Sequence, residues 1–199
     1  MRLTFAAAII FLASTQPGLA ESCEEKFAQL LIHGNGPLPA TIRITSQPKG
    51  GKISKNDFFF KTTGHWMTVM TDPANQPITL AYNNNMYTSA DKGKSWKKVR
   101  EMDSQQNRLD NIKNQEANAK TIKNAACGEE MLDGVLHDTV EADFDTVQQY
   151  KSSNHYKYWV ERETGWITKA TYDSKSSGYE SFTIQVMEKT PDLQLPTPE

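Results

Sequence analysis

The sequence predicts an α+β fold in which helices cover one large, curved antiparallel sheet. Three observations predict it. Short runs of alternating apolar and polar residues recur along the chain, each bounded by glycine, asparagine or proline turns. Connections between these runs are short, which excludes the crossovers that parallel strands need. Only two segments carry helical spacing, so the sheet must supply most of the core.

The first twenty residues, MRLTFAAAIIFLASTQPGLA, read as a secretory signal peptide. Arg2 gives a basic start, the run from Leu3 to Ser14 is apolar, and Gly18 and Ala20 supply small residues at −3 and −1 of a cleavage site. That run is too short for a membrane span, and no later segment approaches the length of one. The mature chain is expected to begin at Glu21 in the periplasm, with extracellular release as the alternative. A lipid-modified Cys23 fits poorly, because Glu21 stands where a lipobox needs a small residue. Export makes the only two cysteines, Cys23 and Cys127, candidates for one disulfide. A redox pair would normally sit as Cys-x-x-Cys, and these two are far apart.

Ser22 and Glu25 have capping-box spacing, and Phe27, Leu30 and Leu31 fall on one helical face, so a helix is predicted over 22–32. The glycines and prolines of 34–39 end it. In the strand 41–45, Ile42 and Ile44 share a side, and Gly50-Gly51 then turns the chain. The strand 53–62 holds Phe58, Phe59 and Phe60. Phe58 and Phe60 face one side and Phe59 the other, so both faces must be at least partly covered. After a turn at Gly64, Trp66 and Met70 share a face of the next strand. Strands 78–82 and 86–88 are joined by Asn83-Asn84-Asn85.

A long helix is predicted over 101–122, with its body near 103–121 and Asp103 or Ser104 as cap. Its apolar stripe of Leu109, Ile112, Ala119 and Ile122 is narrow, which places it on the surface. Strands are expected to resume at Met131, over 135–147, 156–161, 166–172 and 179–187. Residues 190–199, with three prolines, form a tail without a core-forming pattern, leaving 21–189 as one domain.

The formal charge of −2 becomes about −3 once Arg2 is removed. That balance excludes the electrostatic footprint of a nucleic-acid binder and gives no polybasic surface for anionic lipid. Ser89 to Trp96 (SADKGKSW) matches the Asp-box of sialidases and β-propellers, S-x-D-x-G-x-[TS]-W. One box in a chain too short for a propeller predicts a hairpin turn with structural roles for Asp91, Gly93 and Trp96, and no glycosidase. His33, His65, His137 and His155 lack metal-ligand spacing, so no metal and no cofactor is expected. Glu141, Asp143 and Asp145 alternate with Val140, Ala142 and Phe144, which makes the carboxylates a solvated strand face. Nucleophile elbows and phosphate-binding loops are absent, and no catalytic residue is assigned.

From Ile42 onward the layout resembles the LolA/LppX-like superfamily of periplasmic proteins, chiefly in the C-terminal half. Met131-Leu132-Asp133-Gly134-Val135 leads into an alternating strand. The run from Tyr158 to Trp166 (YWVERETGW) is similar to that family's W-[IV]-x-x-x-T-G-[LW] hairpin, followed by the strand 168–172. Cys127, Gly128 and Glu129 precede the Asp133-Gly134 element as in similar small periplasmic proteins. The resemblance implies an open half-barrel with helices as a lid over an apolar cavity that carries acyl chains of lipids or lipoproteins. No functional residue of the family matches here; Arg43 is one candidate for the carriers' cavity arginine. The cavity candidates are Phe58, Phe60, Trp66 and Met70. A non-enzymatic lipid or lipoprotein carrier is therefore the first expectation. A partner-binding or structural envelope protein with a solid core is the second, and a hydrolase with dispersed site residues the third. Oligomeric state leaves no signal in the sequence.

Overall fold

The computed structural model describes residues 21–148 and 151–198; the signal-peptide segment lies outside them. Helix α1 spans Cys23–His33 and α2 spans Ser104–Ala119. The strands of the first half are β1 (Ala40–Pro48), β2 (Ser54–Thr62), β3 (His65–Asp72), β4 (Ile78–Tyr82), β5 (Asn85–Ser89) and β6 (Lys97–Glu101). After α2 come β7 (Lys123–Leu132), β8 (Val135–Thr146), β9 (Ser152–Glu161), β10 (Ile167–Ser176) and β11 (Tyr179–Lys189).

The eleven strands of the described residues form one antiparallel sheet of order β6-β5-β4-β3-β2-β1-β11-β10-β9-β8-β7. Two meanders are thus fused through β1 and β11, whose register runs from Ala40 opposite Lys189 to Pro48 opposite Ser181. The edges are β6 and β7, and α2 is the connection between them. Ten inter-strand steps would separate the edges of a flat sheet by roughly 48 Å, while sixteen helical residues span about 24 Å. Short linkers cannot make up the difference comfortably, so the sheet curves and stays open. This is the curved antiparallel sheet that the sequence pattern predicts, in the open half-barrel form that the resemblance implies.

Local chemistry explains the elements. The Ser22 hydroxyl accepts from the Glu25 N–H at 3.2 Å, and the Glu25 carboxylate accepts from the Ser22 N–H at 2.8 Å, closing the capping box of α1. Asp103 caps α2 by accepting from the Gln106 N–H at 2.9 Å. Between β5 and β6, Asp91 accepts from the Ser95 N–H at 2.9 Å and from the hydroxyls of Ser95 and Ser89 at 2.6 and 2.7 Å. Gly93 takes φ 86° in that turn, with the Trp96 ring 3.6 Å from where a Cβ would stand.

Several strands run longer than expected, as β9 does from Ser152, and the largest differences flank α2. The predicted helix over 101–122 is shorter, because Glu101 belongs to β6 and Lys123 already opens β7. Strands therefore resume before Met131. Both missed segments are edge strands with almost every residue exposed, and a strand without a buried face shows no alternation.

The main core lies between α1 and the concave face of β8–β10. Phe27 and Leu31 pack there against Val140, Ala142, Phe144, Tyr158, Ile167 and Ala170. Cys23 and Cys127, with Cα atoms 5.6 Å apart, are joined by a disulfide that fastens the start of α1 to β7. The convex face is covered near the three phenylalanines. Phe59 stands opposite Met67, and Met67 opposite the fully buried Leu80. The C-terminal segment returns to this region. Lys61 donates to Gln194 at 3.3 Å, the His65 ring meets the Pro196 carbonyl at 3.0 Å, and Leu195 is buried. Because a carbonyl only accepts, the His65 Nε2 carries the proton in that contact.

Candidate functional site

Register fixes which side chains share the concave face. Phe58 and Phe60 on β2 stand opposite Ile42 and Ala40 on β1. Ile42 in turn faces Met187 on β11. Further round the sheet, Thr183 opposes Tyr172 and Tyr172 opposes Tyr156. These residues surround a cavity of about 570 Å³ under α1, within the range of small-molecule sites.

One wall is Ala40, Ile42, Phe58 and Phe60, and the facing wall is Tyr156, Tyr158, Ile167, Tyr172 and Met187. Leu30 and Leu31 of α1 and Leu38 of the following loop form the roof, and Gln115 reaches in from α2. Ser174, Thr183 and Gln185 supply polar groups at the sheet. Among the described residues, no Asp, Glu, Lys, Arg or His lines the cavity.

Asn35 holds the roof in place. Its side chain donates to the Ile167 carbonyl at 2.9 Å and accepts from the Ile167 N–H at 2.7 Å, acting as a strand partner for the start of β10. Gly34 and Gly36, with φ 52° and 66°, let the chain turn into this position. Asn35 was not legible as a site residue, because its partner is distant in sequence.

The tyrosines add no charge. Burial pushes the phenol of Tyr156 up, against a hydrogen bond with Ser174, and burial raises Tyr158 and Tyr172 strongly. The Tyr172 hydroxyl donates to Gln185 at 3.2 Å. Their rings interlock edge to face, with Tyr156 and Tyr172 centroids 4.5 Å apart. What the arrangement offers is a neutral, mostly apolar chamber with a few hydrogen-bonding groups.

The four sequence candidates are brought to one face but not to one depth. Phe58 and Phe60 line the cavity. Trp66, opposite Phe60, packs its ring 5.6 Å from Phe58 on the same face, one strand beyond the wall, and is outside the lining. Met70, opposite Asn56, lies farther along the strand and is not among the lining residues. Arg43 points the other way: it is exposed on the convex side and pairs with Glu188 at 3.7 Å.

The acidic run of β8 is also convex. Asp143 accepts from Asn124 at 2.7 Å and meets His155 Nδ1 at 2.8 Å, while Glu141 pairs with Lys157 at 3.7 Å. Those contacts hold the Asp143 carboxyl below its ordinary range, the Asn124 hydrogen bond most. Trp159 lies on the same side, with Lys157 and Lys169 5.0 and 4.5 Å from its ring and Glu130 accepting from its indole N–H. A second cleft of about 790 Å³ opens beside the disulfide. Arg162 crosses it to Glu129 and Asp138, so it is charged where the first is neutral.

No family model matches the chain, and no curated protein matches it. Among solved structures it is similar to a LolA superfamily protein from Nitrosomonas europaea, with TM-score 0.35, 10% identity, and 88% of this chain and 94% of that one covered. It is similar to a chain of the MucA/MucB complex of Pseudomonas aeruginosa, with TM-score 0.40, 13% identity, and 85% and 57% covered. A Vibrio parahaemolyticus domain named for outer membrane lipoprotein sorting gives TM-score 0.34, 9% identity, and 86% and 92% covered.

Proposed function

We propose that this protein is a non-enzymatic periplasmic carrier that holds the acyl chain of a lipid or lipoprotein in the cavity under α1. The observation that carries the reading is the cavity's composition: about 570 Å³, walled by aliphatic and aromatic groups, with no charged residue lining it among the described residues. Each methylene moved from water into such a chamber gains about 0.8 kcal/mol. The hydrogen-bonding groups at Ser174, Thr183 and Gln185 suit an ester or amide at the polar end of the ligand. A disulfide between α1 and β7 fits an oxidising compartment.

Native protein purified without detergent is expected to carry lipid that organic extraction and mass spectrometry detect. Delipidated protein should then take up a fluorescent fatty-acid probe saturably. No lipid in the native protein and no uptake of any acyl probe would return the chain to the second expectation, a partner-binding envelope protein.

A further inference from the structure

The overall charge balance conceals a local concentration of cations. Lys92, Lys94, Lys97, Lys98 and Arg100 fall within nine residues of the β5–β6 hairpin, and all five are exposed. Counter-charge is scarce around them. β4 and β5, the adjoining strands, contain no charged residue. Asp91 is turned into the hairpin by Ser89 and Ser95, and Glu101 is paired with Lys98 at 3.0 Å. The sequence-level expectation of no polybasic surface therefore holds for the average charge and fails for this hairpin.

We propose that the β5–β6 hairpin docks the protein onto an anionic lipid surface. The distribution of the cations favours a field of phosphates over an acidic peptide added to the edge strand. Lys92 and Lys94 stand in the turn. Lys97, opposite Thr88, and Arg100, opposite Met86, lie on the concave face, while Lys98, opposite Tyr87, lies on the convex one. A register shift between the Met86 and Tyr87 pairs interrupts the ladder that an added strand would extend. Cations that surround a rigid turn match a diffuse negative surface. The hairpin also leads through Met102 and Asp103 into α2, whose Gln115 lines the cavity. Docking does not depend on what the cavity holds.

The test is co-sedimentation of the mature chain with vesicles of phosphatidylcholine alone, or of phosphatidylcholine and phosphatidylglycerol in equal parts. Binding is expected only to the anionic vesicles and should weaken as salt is raised. Each of Lys94→Gln, Lys97→Gln and Arg100→Gln should lower partitioning about fivefold, and the triple variant about a hundredfold. Uptake of the fatty-acid probe should be unchanged in the triple variant, which separates docking from the cavity reading. Equal binding to both vesicle types, or a folded triple variant that binds as well as wild type, would overturn the proposal. Tight binding of polyglutamate lost in the triple variant, without vesicle binding, would reassign the hairpin to an acidic peptide. Self-association of the variant with vesicle binding intact would make the cations guards of an exposed edge and equally reject docking.

Discussion

The ring of Phe27 on α1 lies 5.5 Å from that of Tyr158 on β9, and this contact seats the first helix on the concave sheet. Phe27 is fully buried and also meets Phe144, with ring centroids 6.1 Å apart. Phe27→Ala should lower stability by about 3–5 kcal/mol, because little can move in to fill the space. Urea unfolding checks this; a loss below 1 kcal/mol would mean that α1 is held by other contacts.

The disulfide acts on the same helix, about one turn before Phe27. Cys23 and Cys127 are 104 residues apart, so their bond constrains a long loop in the unfolded chain. Cys127→Ser is expected to cost about 2–5 kcal/mol. Thiol titration of the denatured, unreduced mature protein should find almost no free thiol, and two per chain would refute the pairing.

Much of this architecture was legible because it is local. The capping box of Ser22 and Glu25, the Asp91 turn and the alternation of Val140, Ala142 and Phe144 each depend on residues a few positions apart. The pairing of β1 with β11 joins residues near opposite ends of the chain and leaves no local mark. The bond between Asn35 and Ile167 is hidden for the same reason. For the cavity, spacing placed Phe58 and Phe60 on one face, but only the curvature decides that they line the chamber and that Trp66, one strand farther on, does not. Arg43 shows the converse: one step from Ile42 along an extended strand puts it on the opposite face.

Acid should loosen the Asp91 turn. Hydrogen bonds from the Ser95 hydroxyl, the Ser95 N–H and the Ser89 hydroxyl, in that order, hold its carboxyl down to about 2 from 3.8. Since the folded value is depressed, the stabilisation is fully present above the unfolded value of 3.8 and disappears as pH falls through about 2. Asp91→Asn should therefore be less stable than wild type at neutral pH, with the gap closing below pH 3.8. Thermal midpoints measured across that range decide it; a constant gap down to pH 2 would contradict the assignment.

The C-terminal segment is a structural strap in spite of its prolines. Leu195 is buried, and Gln194 and Pro196 bond to Lys61 and His65. Truncation before Pro191 should lower stability by about 1.5–3 kcal/mol, the value of one buried leucine, as measured by urea unfolding. A truncated protein as stable as the full chain would show that the strap contributes nothing.

The decisive prediction concerns depth within the concave face. A charge at Phe60 would stand unpaired in a neutral chamber, so Phe60→Asp should abolish uptake of a fluorescent fatty acid, provided circular dichroism shows the variant folded. Because an unpaired carboxylate can also unfold a core, Thr183→Phe gives an independent arm: it adds bulk from β11 at the sheet between the two walls, without charge. It should weaken uptake at least about tenfold, the equivalent of 1.4 kcal/mol. Met70→Asp, beyond the lining, and Arg43→Ala, on the convex face, should leave uptake near wild type. If Met70→Asp or Arg43→Ala abolishes uptake in folded protein while Thr183→Phe does not, the acyl chain lies elsewhere than under α1. The neutrality of the site yields a further discriminator, since uptake should not follow the titration of any lining group between pH 5 and 8. A steep pH dependence in that interval would require a charged residue at the ligand, and among the described residues none lines this chamber.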